Sequence, residues 1–416
     1  MRVSGSIINI EPAGDTSYKK IEGEVQNMNS YSVATQWDTE ATLEILDLFN
    51  EEHILHDIYG ALPHSPIGHG RPVNAVPQVD FSSVKQYISM LKQEGVLFNY
   101  LFNGAFDKNK LLDGVFAEAV TEYVRRVIEE LEVSYVTVAV PELVEIINKY
   151  YPQVSVKIST IYNVLTVEDL KKLEGLKINR VTLGNDAPRR PKELQKMLRY
   201  CRGKGYDLEL LITETCLYQC KTRYEHYHTQ TEDTSHLSTD WYMNNCILTR
   251  ILNPEEFLKA CWIRPEDIAY YRNLGITNFK ISGRSKSPQW TKRCLSAYIK
   301  GSYDGNVMEL FGTTPPKFED NSEHLFSIDN KALQLYFDNH PMNCDERSCK
   351  ECGYCKESVV RLFKSGGLTL NKICGDYEIA EDRLSCKPGP YTRKLMKLVE
   401  DKERDSPQDA EGVKSQ

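Results

Sequence analysis

The sequence lacks the long apolar runs that secreted and membrane proteins need. No stretch approaches the roughly 18 apolar residues of a membrane-spanning helix, and the opening MRVSGSIINIEPAGD has no apolar core of signal-peptide length behind Arg2. An excess of positive charge is also missing, since 51 Lys and Arg face 59 Asp and Glu and leave a formal net charge of −8. We therefore expect a soluble cytoplasmic protein with no membrane partner, for which a small molecule or peptide is a better substrate than nucleic acid.

Three catalytic signatures are absent as well. The chain has no HExxH zinc-protease motif and no GxSxG nucleophile elbow. Residues 30–45 contain no cysteine, which argues against a radical enzyme that uses S-adenosylmethionine, because such enzymes carry C-x3-C-x2-C near the first strand. The chain does have twelve cysteines, and in a reducing cytosol metal ligation explains the clustered ones better than disulfides.

Short β-branched or aromatic runs alternate with amphipathic helical stretches from about residue 30 onward. Eight of these runs are candidate strands: YSVATQW, HILHDIY, LFNYLFN, SYVTVAV, SVKISTI, RVTLG, LELLIT and NFKISG. The stretches between them, such as TEATLEILDLFNEE and RPKELQKMLRYCRGKG, contain the Thr, Asp and Gly residues that cap helices. Eight βα units over about 270 residues predict an α/β fold, specifically a (β/α)8 barrel rather than a doubly wound sheet.

The chain divides into four predicted regions. Residues 1–29 form an N-terminal extension, 30–301 the barrel, 302–396 a small irregular cysteine-rich region, and 397–416 a polar, disordered tail. Two long insertions interrupt the barrel: GALPHSPIGHGRPVNAVPQ after the second strand, and residues 215–259 after the seventh. Long loops at the carboxyl ends of barrel strands usually carry function, so we expect the active site there.

Four cysteines lie in or beside the second insertion, at Cys216, Cys220, Cys246 and Cys261. Their spacing, C-x3-C-x25-C-x14-C, fits no standard zinc finger and lacks the C-x2-C pairs typical of structural zinc. Soft thiolates that converge on one pocket suit an iron–sulfur cluster. Spacing alone leaves the metal open, and buried hydrophobic thiols are the alternative.

The segment KACWIRPEDIAYYRNLGITNFKISGRSKSPQWTKRCLSAYIKG resembles the signature region of the collagenase-like peptidase family, number thirty-two among the unclassified peptidase families. The segment ELLITETCLYQCKTRYEH takes the place of that family's strand-then-Cys segment, so all four cysteines match the family's cluster ligands in order. The resemblance spans residues 31–301 and is strongest from Leu208 onward. It implies a barrel that holds one [4Fe–4S] cluster on these cysteines.

Characterised members of that family hydroxylate transfer RNA bases, ribosomal RNA bases or a ubiquinone precursor without molecular oxygen, and prephenate is implicated as the oxygen donor. The resemblance therefore implies an iron–sulfur oxidoreductase that hydroxylates, or modifies by related redox chemistry, a small metabolite, a peptide or an RNA base. The alternatives are a peptidase or other hydrolase, and a non-catalytic cluster-bearing subunit. An electron donor or a paired homologous subunit would be the protein partner. The tight first spacing and the loop around Tyr224, His226 and His228 depart from the family and leave the substrate open.

A second cysteine set lies in MNCDERSCKECGYCKESVV. It contains Cys344, Cys349, Cys352 and Cys355, and the run C-x2-C-x2-C is the one with which ferredoxins hold three corners of a cubane cluster. The fourth ligand would be Cys344, Cys374 or Cys386. Structural zinc and no metal at all are the alternatives to a second iron–sulfur cluster.

Other polar residues follow the predicted strands and are candidate catalytic groups. Glu214 directly precedes the first cysteine and is a candidate general base, while Lys280 and Arg284 flank the end of the eighth strand and could hold a carboxylate or phosphate. His64 and His69, with the neighbouring Arg71, lie in the first insertion and could transfer protons or bind an anion. Structural ion pairs and solvated loop residues are the alternatives, and helix capping explains these weaker candidates equally well: Asp38, Asn185 and Asp186.

Two remaining cysteines lie in helical patterns and are expected to be buried: Cys201 and Cys294.

Overall fold

The computed structural model describes residues 28–49, 53–73, 76–232, 236–311, 324–342, 344, 346–381 and 383–405. Of the predicted N-terminal extension, residues 1–27 lie outside this part of the chain. Residue Asn29, placed in that extension, is the first residue of the first strand.

Eight parallel strands close into a barrel in which each strand pairs with its sequence neighbours and the eighth pairs with the first. The (β/α)8 prediction is therefore confirmed, and all eight candidate runs supply strands. Their bounds are β1 Asn29–Ala34, β2 His53–Gly60, β3 Phe98–Phe102, β4 Tyr135–Val138, β5 Ser155–Ile158, β6 Arg180–Thr182, β7 Asp207–Leu211 and β8 Asn278–Ile281.

Helices follow the strands, and polar caps start several of them. Asp38, Asp80 and Asp113 accept hydrogen bonds from backbone N–H groups in the first turns of their helices, so the capping explanation of Asp38 is the correct one. The helices up to the end of the barrel are α1 Thr39–Leu46, α2 Phe81–Gln93, α3 Gly114–Arg125, α4 Pro141–Tyr150, α5 Val167–Lys171, α6 Pro191–Cys201, α7 Arg223–Glu232, α8 His236–Leu252, α9 Glu255–Lys259, α10 Ile268–Leu274 and α11 Pro288–Lys300. A π-helical turn, Arg126–Glu130, continues α3, and short 3-10 helices lie at Lys108–Leu112, Thr160–Tyr162, Ala187–Arg189, Pro265–Asp267 and Val307–Leu310.

The second insertion is more ordered than a long loop. It contains α7, α8 and α9, which stand over the carboxyl end of β7. Residues 215–259 are too long for an ordinary connection, which predicts an interruption of the barrel, and the structure fills this segment with helices.

The C-terminal region adds two antiparallel strand pairs and four helices to the barrel. Its elements are β9 Phe326–Ile328, α12 Gln334–Asp338, α13 Cys349–Cys352, α14 Tyr354–Lys364, β10 Leu368–Leu370, β11 Gly375–Ala380, β12 Arg383–Pro388 and α15 Pro390–Asp405. Its aromatic residues Phe311 and Phe337 pack on Trp262 of the barrel. Their ring centroids lie 4.6 Å and 5.4 Å, respectively, from that of Trp262. The region thus shares one hydrophobic core with the barrel.

The predicted boundary of the polar tail is wrong by nine residues. The tail was expected to begin at residue 397, but α15 continues through Asp405 because Leu395 and Val399 are buried on one face of this charged helix. Residues 406–416 lie outside the described part of the chain. Within the described part, none of the helices combines the length and the apolar character needed to cross a membrane.

A buried ionic network fills the centre of the barrel. The Lys157 ammonium on β5 lies 2.9 Å from Asp57 on β2 and 2.9 Å from Glu209 on β7, and all three side chains are fully buried. Ser32 on β1 lies 2.7 Å from both carboxylates, and Thr182 on β6 donates to Glu209 at 2.7 Å. Burial opposes ionisation of Asp57 and Glu209, but the neighbouring Lys157 charge holds the pKa of each carboxyl below its ordinary value. The interior is therefore packed, which leaves the mouth of the barrel for chemistry.

We expect Lys157→Met to destabilise the protein by about 3–5 kcal/mol, because it leaves two buried carboxylates without their shared cation. Urea denaturation followed by circular dichroism measures this loss. The matched control is Lys171→Met, which removes an exposed lysine paired with Glu168 and should leave the midpoint near that of the wild type. Equal midpoints for the two variants would contradict the structural role of Lys157.

Candidate functional site

Loops from three strands bring the predicted polar residues together at the mouth of the barrel. Arg71 comes from the first insertion after β2, Glu214 follows β7, and Lys280 and Arg284 come from the end of β8. Arg71 and Glu214 form an ion pair with a 3.2 Å separation between Nη2 and Oε2. The Glu214 carboxylate, proposed from sequence as a general base, is therefore engaged by a guanidinium.

The mouth carries more positive than negative charge. Burial and the neighbouring Arg71 lower the pKa of Arg284 to about 10. Lys280 is 8% exposed, and its Nζ lies 4.0 Å from the centroid of the Tyr59 ring. Burial, followed by the charge of Lys157, lowers the pKa of Lys280 to about 8. Arg71 is paired with Glu214, and the neighbouring Arg284 has no carboxylate partner among the described residues, an arrangement suited to an anionic ligand.

The two candidate histidines have different surroundings. His69 is buried, and its Nε2 donates to the Pro63 carbonyl at 2.9 Å, so the proton lies on Nε2. Its Nδ1 is buried and has no hydrogen-bond partner among the described residues. Burial, followed by the charge of Arg284, lowers the pKa of His69 to about 4, so this nitrogen remains an acceptor at neutral pH. His64 is exposed, and its own backbone carbonyl accepts a hydrogen bond from the Tyr123 hydroxyl.

The first cysteine set lies beside this mouth. Cys216 and Cys220 follow β7, Cys246 lies on α8, and Cys261 follows α9. Burial raises the pKa of Cys216 to about 12, and it also raises the pKa values of Cys246 and Cys261. The positive charge of Arg223 acts against that rise in all three, so Arg223 is the common neighbour of these thiols.

Three buried arginines surround the first cysteine set, and sequence reasoning missed all of them. Arg223 forms an ion pair with Asp186 at 2.8 Å, Arg250 donates to the carbonyl of Cys246 at 3.0 Å, and Arg189 donates to the carbonyl of Ala260 at 2.9 Å. The Nε atom of each is buried and has no hydrogen-bond partner among the described residues. One sequence signal was present, since Arg250 follows Cys246 by four residues and so lies on the same face of α8.

The charges around these thiols fit a dianionic cluster. Glu214 also acts on Cys216 but is paired with Arg71, so the three buried arginines and the carboxylate of Asp186 leave a surplus of two positive charges. A [4Fe–4S] core held by four thiolates carries a net charge of about −2, and its sulfurs accept hydrogen bonds. Uncompensated buried charge is costly, so the donor set and its cationic surroundings suit such a group. Among the described residues, no three His, Cys, Asp or Glu side chains stand close enough to share one metal ion.

Helix α7 of the insertion closes over the mouth. Tyr227 accepts a hydrogen bond from Asn185 at 3.0 Å, and Thr231 accepts one from the backbone of Ala105 at 2.7 Å. A Cβ atom at Gly68 would collide with the carbonyl of Thr231, and a Cβ atom at Gly104 would collide with the carbonyl of Ile67. The first insertion, the loop after β3 and α7 are therefore packed backbone against backbone.

A cleft of about 560 Å³ opens over the carboxyl ends of β3, β4 and β5. It reaches Arg223, whose positive charge lowers the pKa of Cys216, and Tyr227, whose pKa is raised by burial and then by Cys216. Phe106, Tyr162 and Tyr224 supply further aromatic surface, and the size is typical of a small-molecule site. The side chain of His228 lies beside this cleft, where it bonds the carbonyl of Ala105 at 2.9 Å.

Six of the eight remaining cysteines fall into two groups, and the other two are Cys374 and Cys386. Cys344, Cys349, Cys352 and Cys355 line one cavity in the C-terminal region. Cys294 is buried as predicted, while Cys201 is half-buried on α6.

A segment of 161 residues is 37% identical to an uncharacterized protease of Methanocaldococcus jannaschii. The aligned segment covers 38% of this chain and 46% of that protein. The chain thus spans about half the length of the curated relative that it matches. No family model matches the chain.

Several solved structures share a weak likeness with the chain. A U32 peptidase is 16% identical over 65% of this chain and 99% of its own, with a TM-score of 0.44. Citrate synthase SbnG is 12% identical over 66% of this chain and 93% of its own, with a TM-score of 0.32. A D-tagatose 3-epimerase-like protein is 11% identical over 66% of this chain and 97% of its own, also with a TM-score of 0.32. The barrel assignment itself rests on the strand pairing described above.

We expect the Lys280 ammonium to titrate near pH 8 rather than near its ordinary value of 10.5, because it is buried among other cations. NMR of the lysine side-chain carbon and nitrogen resonances measures this pKa, with Lys280→Met identifying the signal. Arg284→Met should raise the value, since it removes one of the positive charges that oppose protonation. A midpoint near 10.5 in the wild type would contradict the described surroundings.

Proposed function

We propose that this chain is an enzyme of the collagenase-like peptidase family whose active site is the mouth of the barrel. We further propose that it holds a [4Fe–4S] cluster on Cys216, Cys220, Cys246 and Cys261. The observation that carries the cofactor is the set of three buried arginines with unpartnered Nε atoms around these thiols. Their surplus positive charge would be balanced by a dianionic cluster.

The reaction we propose is an oxygen-independent hydroxylation, or a related redox modification, of a small aromatic carboxylate, in which an oxygen donor such as prephenate would give up its oxygen atom and be reduced by two electrons. A bound cluster would supply one-electron redox chemistry or a Lewis-acidic iron. The aromatic cleft would bind the planar part of the substrate, and Arg71, Arg284 and Lys280 would hold its carboxylate. The Nδ1 of His69 stays unprotonated at neutral pH and would accept a hydrogen bond from the substrate.

A hydrolase is the second candidate, and the curated comparison favours it. The relative from Methanocaldococcus jannaschii is named a protease, and none of the relatives described above is named a hydroxylase or an iron–sulfur protein. In a hydrolase, the cations at the mouth would bind a peptide carboxylate, and His69 would position water by accepting a hydrogen bond from it. The two candidates differ in whether turnover needs the cysteines.

We expect Cys216→Ala with Cys261→Ala to remove about four iron and four sulfide atoms per chain, because a cubane cluster is not retained without two of its four thiolate ligands. Iron and acid-labile sulfide are measured after anaerobic purification and reconstitution. The matched control is Cys201→Ala, which removes a thiol on α6 outside the site and should change neither number. Unchanged iron in the double variant would overturn the cofactor assignment.

We expect a mass gain of one oxygen atom when the reconstituted protein is incubated anaerobically with aromatic carboxylates and prephenate. Mass spectrometry detects this gain, and Arg284→Met should lower the yield about tenfold to a hundredfold, the effect of a lost charged hydrogen bond. Lys171→Met is the control at an exposed lysine. Cleavage of a casein digest by the wild type and by the Cys216→Ala, Cys261→Ala variant alike, without oxygen gain, would establish the hydrolase instead.

A further inference from the structure

The second cysteine set surrounds a cavity of about 180 Å³ in the C-terminal region. Cys349 and Cys352 are the first and last residues of α13, and Cys355 lies in the first turn of α14. Between the two helices Gly353 adopts a φ of 65°, a conformation that residues with a Cβ disfavour. This tight reversal directs the three thiols of C-x2-C-x2-C toward the same cavity.

The structure also selects the fourth thiol. Cys344 lines the same cavity, and the charges of Cys355, Cys349 and Cys352 all act on it. The two other candidates, Cys374 and Cys386, do not line this cavity and lie near the β11–β12 hairpin. The sequence left this choice open, because all three thiols lie within reach along the chain.

His340 has the geometry of a hydrogen-bond donor to this set. Its Nδ1 accepts a hydrogen bond from the backbone N–H of Met342 at 3.0 Å, which places the ring proton on Nε2. Nε2 lies 4.0 Å from the sulfur of Cys344. Since a protonated nitrogen cannot ligate a metal, His340 faces the set as a donor toward sulfur.

The size and charge of the cavity favour a cluster over a single ion. The cavity of about 180 Å³ is much larger than the space for a single water molecule, whereas one tetrahedral zinc ion needs little space between its thiolates. Four cations line the cavity beside one carboxylate, and they would offset the charge of four thiolates: Lys259, Arg347, Lys350 and Lys356, with Glu255.

We propose that this cavity binds a second iron–sulfur cluster, ligated by Cys344, Cys349, Cys352 and Cys355, with the His340 N–H directed at the sulfur of Cys344. This site lies outside the barrel mouth and does not depend on the function proposed above. The run C-x2-C-x2-C with a fourth thiol favours a cubane.

The test uses the full chain, reconstituted anaerobically with ferrous iron and sulfide, and compares iron, sulfide and zinc per chain. We expect Cys349→Ala with Cys352→Ala to remove about four iron and four sulfide atoms and to abolish the reduced-cluster signal of this site in electron paramagnetic resonance. Cys386→Ala is the control, and it should change nothing. Loss of one zinc with unchanged iron, loss of only two irons, or no change of metal would each overturn the cubane assignment.

The Cys216→Ala, Cys261→Ala variant separates this proposal from the first. If that variant keeps all its iron while the Cys349→Ala, Cys352→Ala variant loses it, the barrel cofactor is wrong and the second cluster stands. If only the barrel variant loses iron, the second cluster is wrong and the barrel cofactor stands.

The role of His340 has its own readout. We expect His340→Phe to lower the midpoint potential of the second cluster without changing its iron content, because a hydrogen bond to a cluster sulfur favours the reduced state. His340→Gln keeps an N–H donor and should restore part of the potential. An unchanged potential in His340→Phe would refute the N–H contact.

Discussion

The shared ion pairing of Lys157 with Asp57 and Glu209 is the constraint on which the barrel depends. These groups come from β5, β2 and β7, so their contact is possible only when the sheet is closed. Hydrogen bonds from Ser32 and Thr182 extend the contact to β1 and β6. Because a buried charge without a partner is so costly, any register that separates these strands is strongly disfavoured. The same network fills the interior of the barrel, so the open surface lies at the ends of the strands.

The alternation of strands and helices was predictable, and the polar centre was not. Each of the eight runs has enough apolar residues to be recognised as a strand, yet Asp57, Lys157 and Glu209 interrupt three of those runs with charge. A charged residue within an apolar strand indicates a buried partner, but the sequence does not say which one. The end of α15 was predicted incorrectly for a related reason. Leu395 and Val399 are two apolar residues among many charged ones, so they do not form a recognisable amphipathic pattern.

The candidate site was predictable to a similar extent. The sequence identified the cysteines and the residues at the strand ends, because these stand out by type and position. It missed the arginines, because Arg189, Arg223 and Arg250 look like surface residues until the fold buries them. Arg189 is notable among them, since its charge acts on Cys261 of the first cysteine set and on Cys344 of the second. One buried guanidinium therefore links the electrostatics of both sets.

The packing at Gly68 and Gly104 limits how this site can change over evolutionary time. Each position places bare backbone against a carbonyl oxygen of a neighbouring segment. A single added methyl group at either one would push the loop that carries His69 and Arg71 away from α7. A side chain larger than hydrogen at either position would therefore require a shift of backbone, whereas exchanges among the aromatic side chains of the adjoining cleft would leave this packing in place.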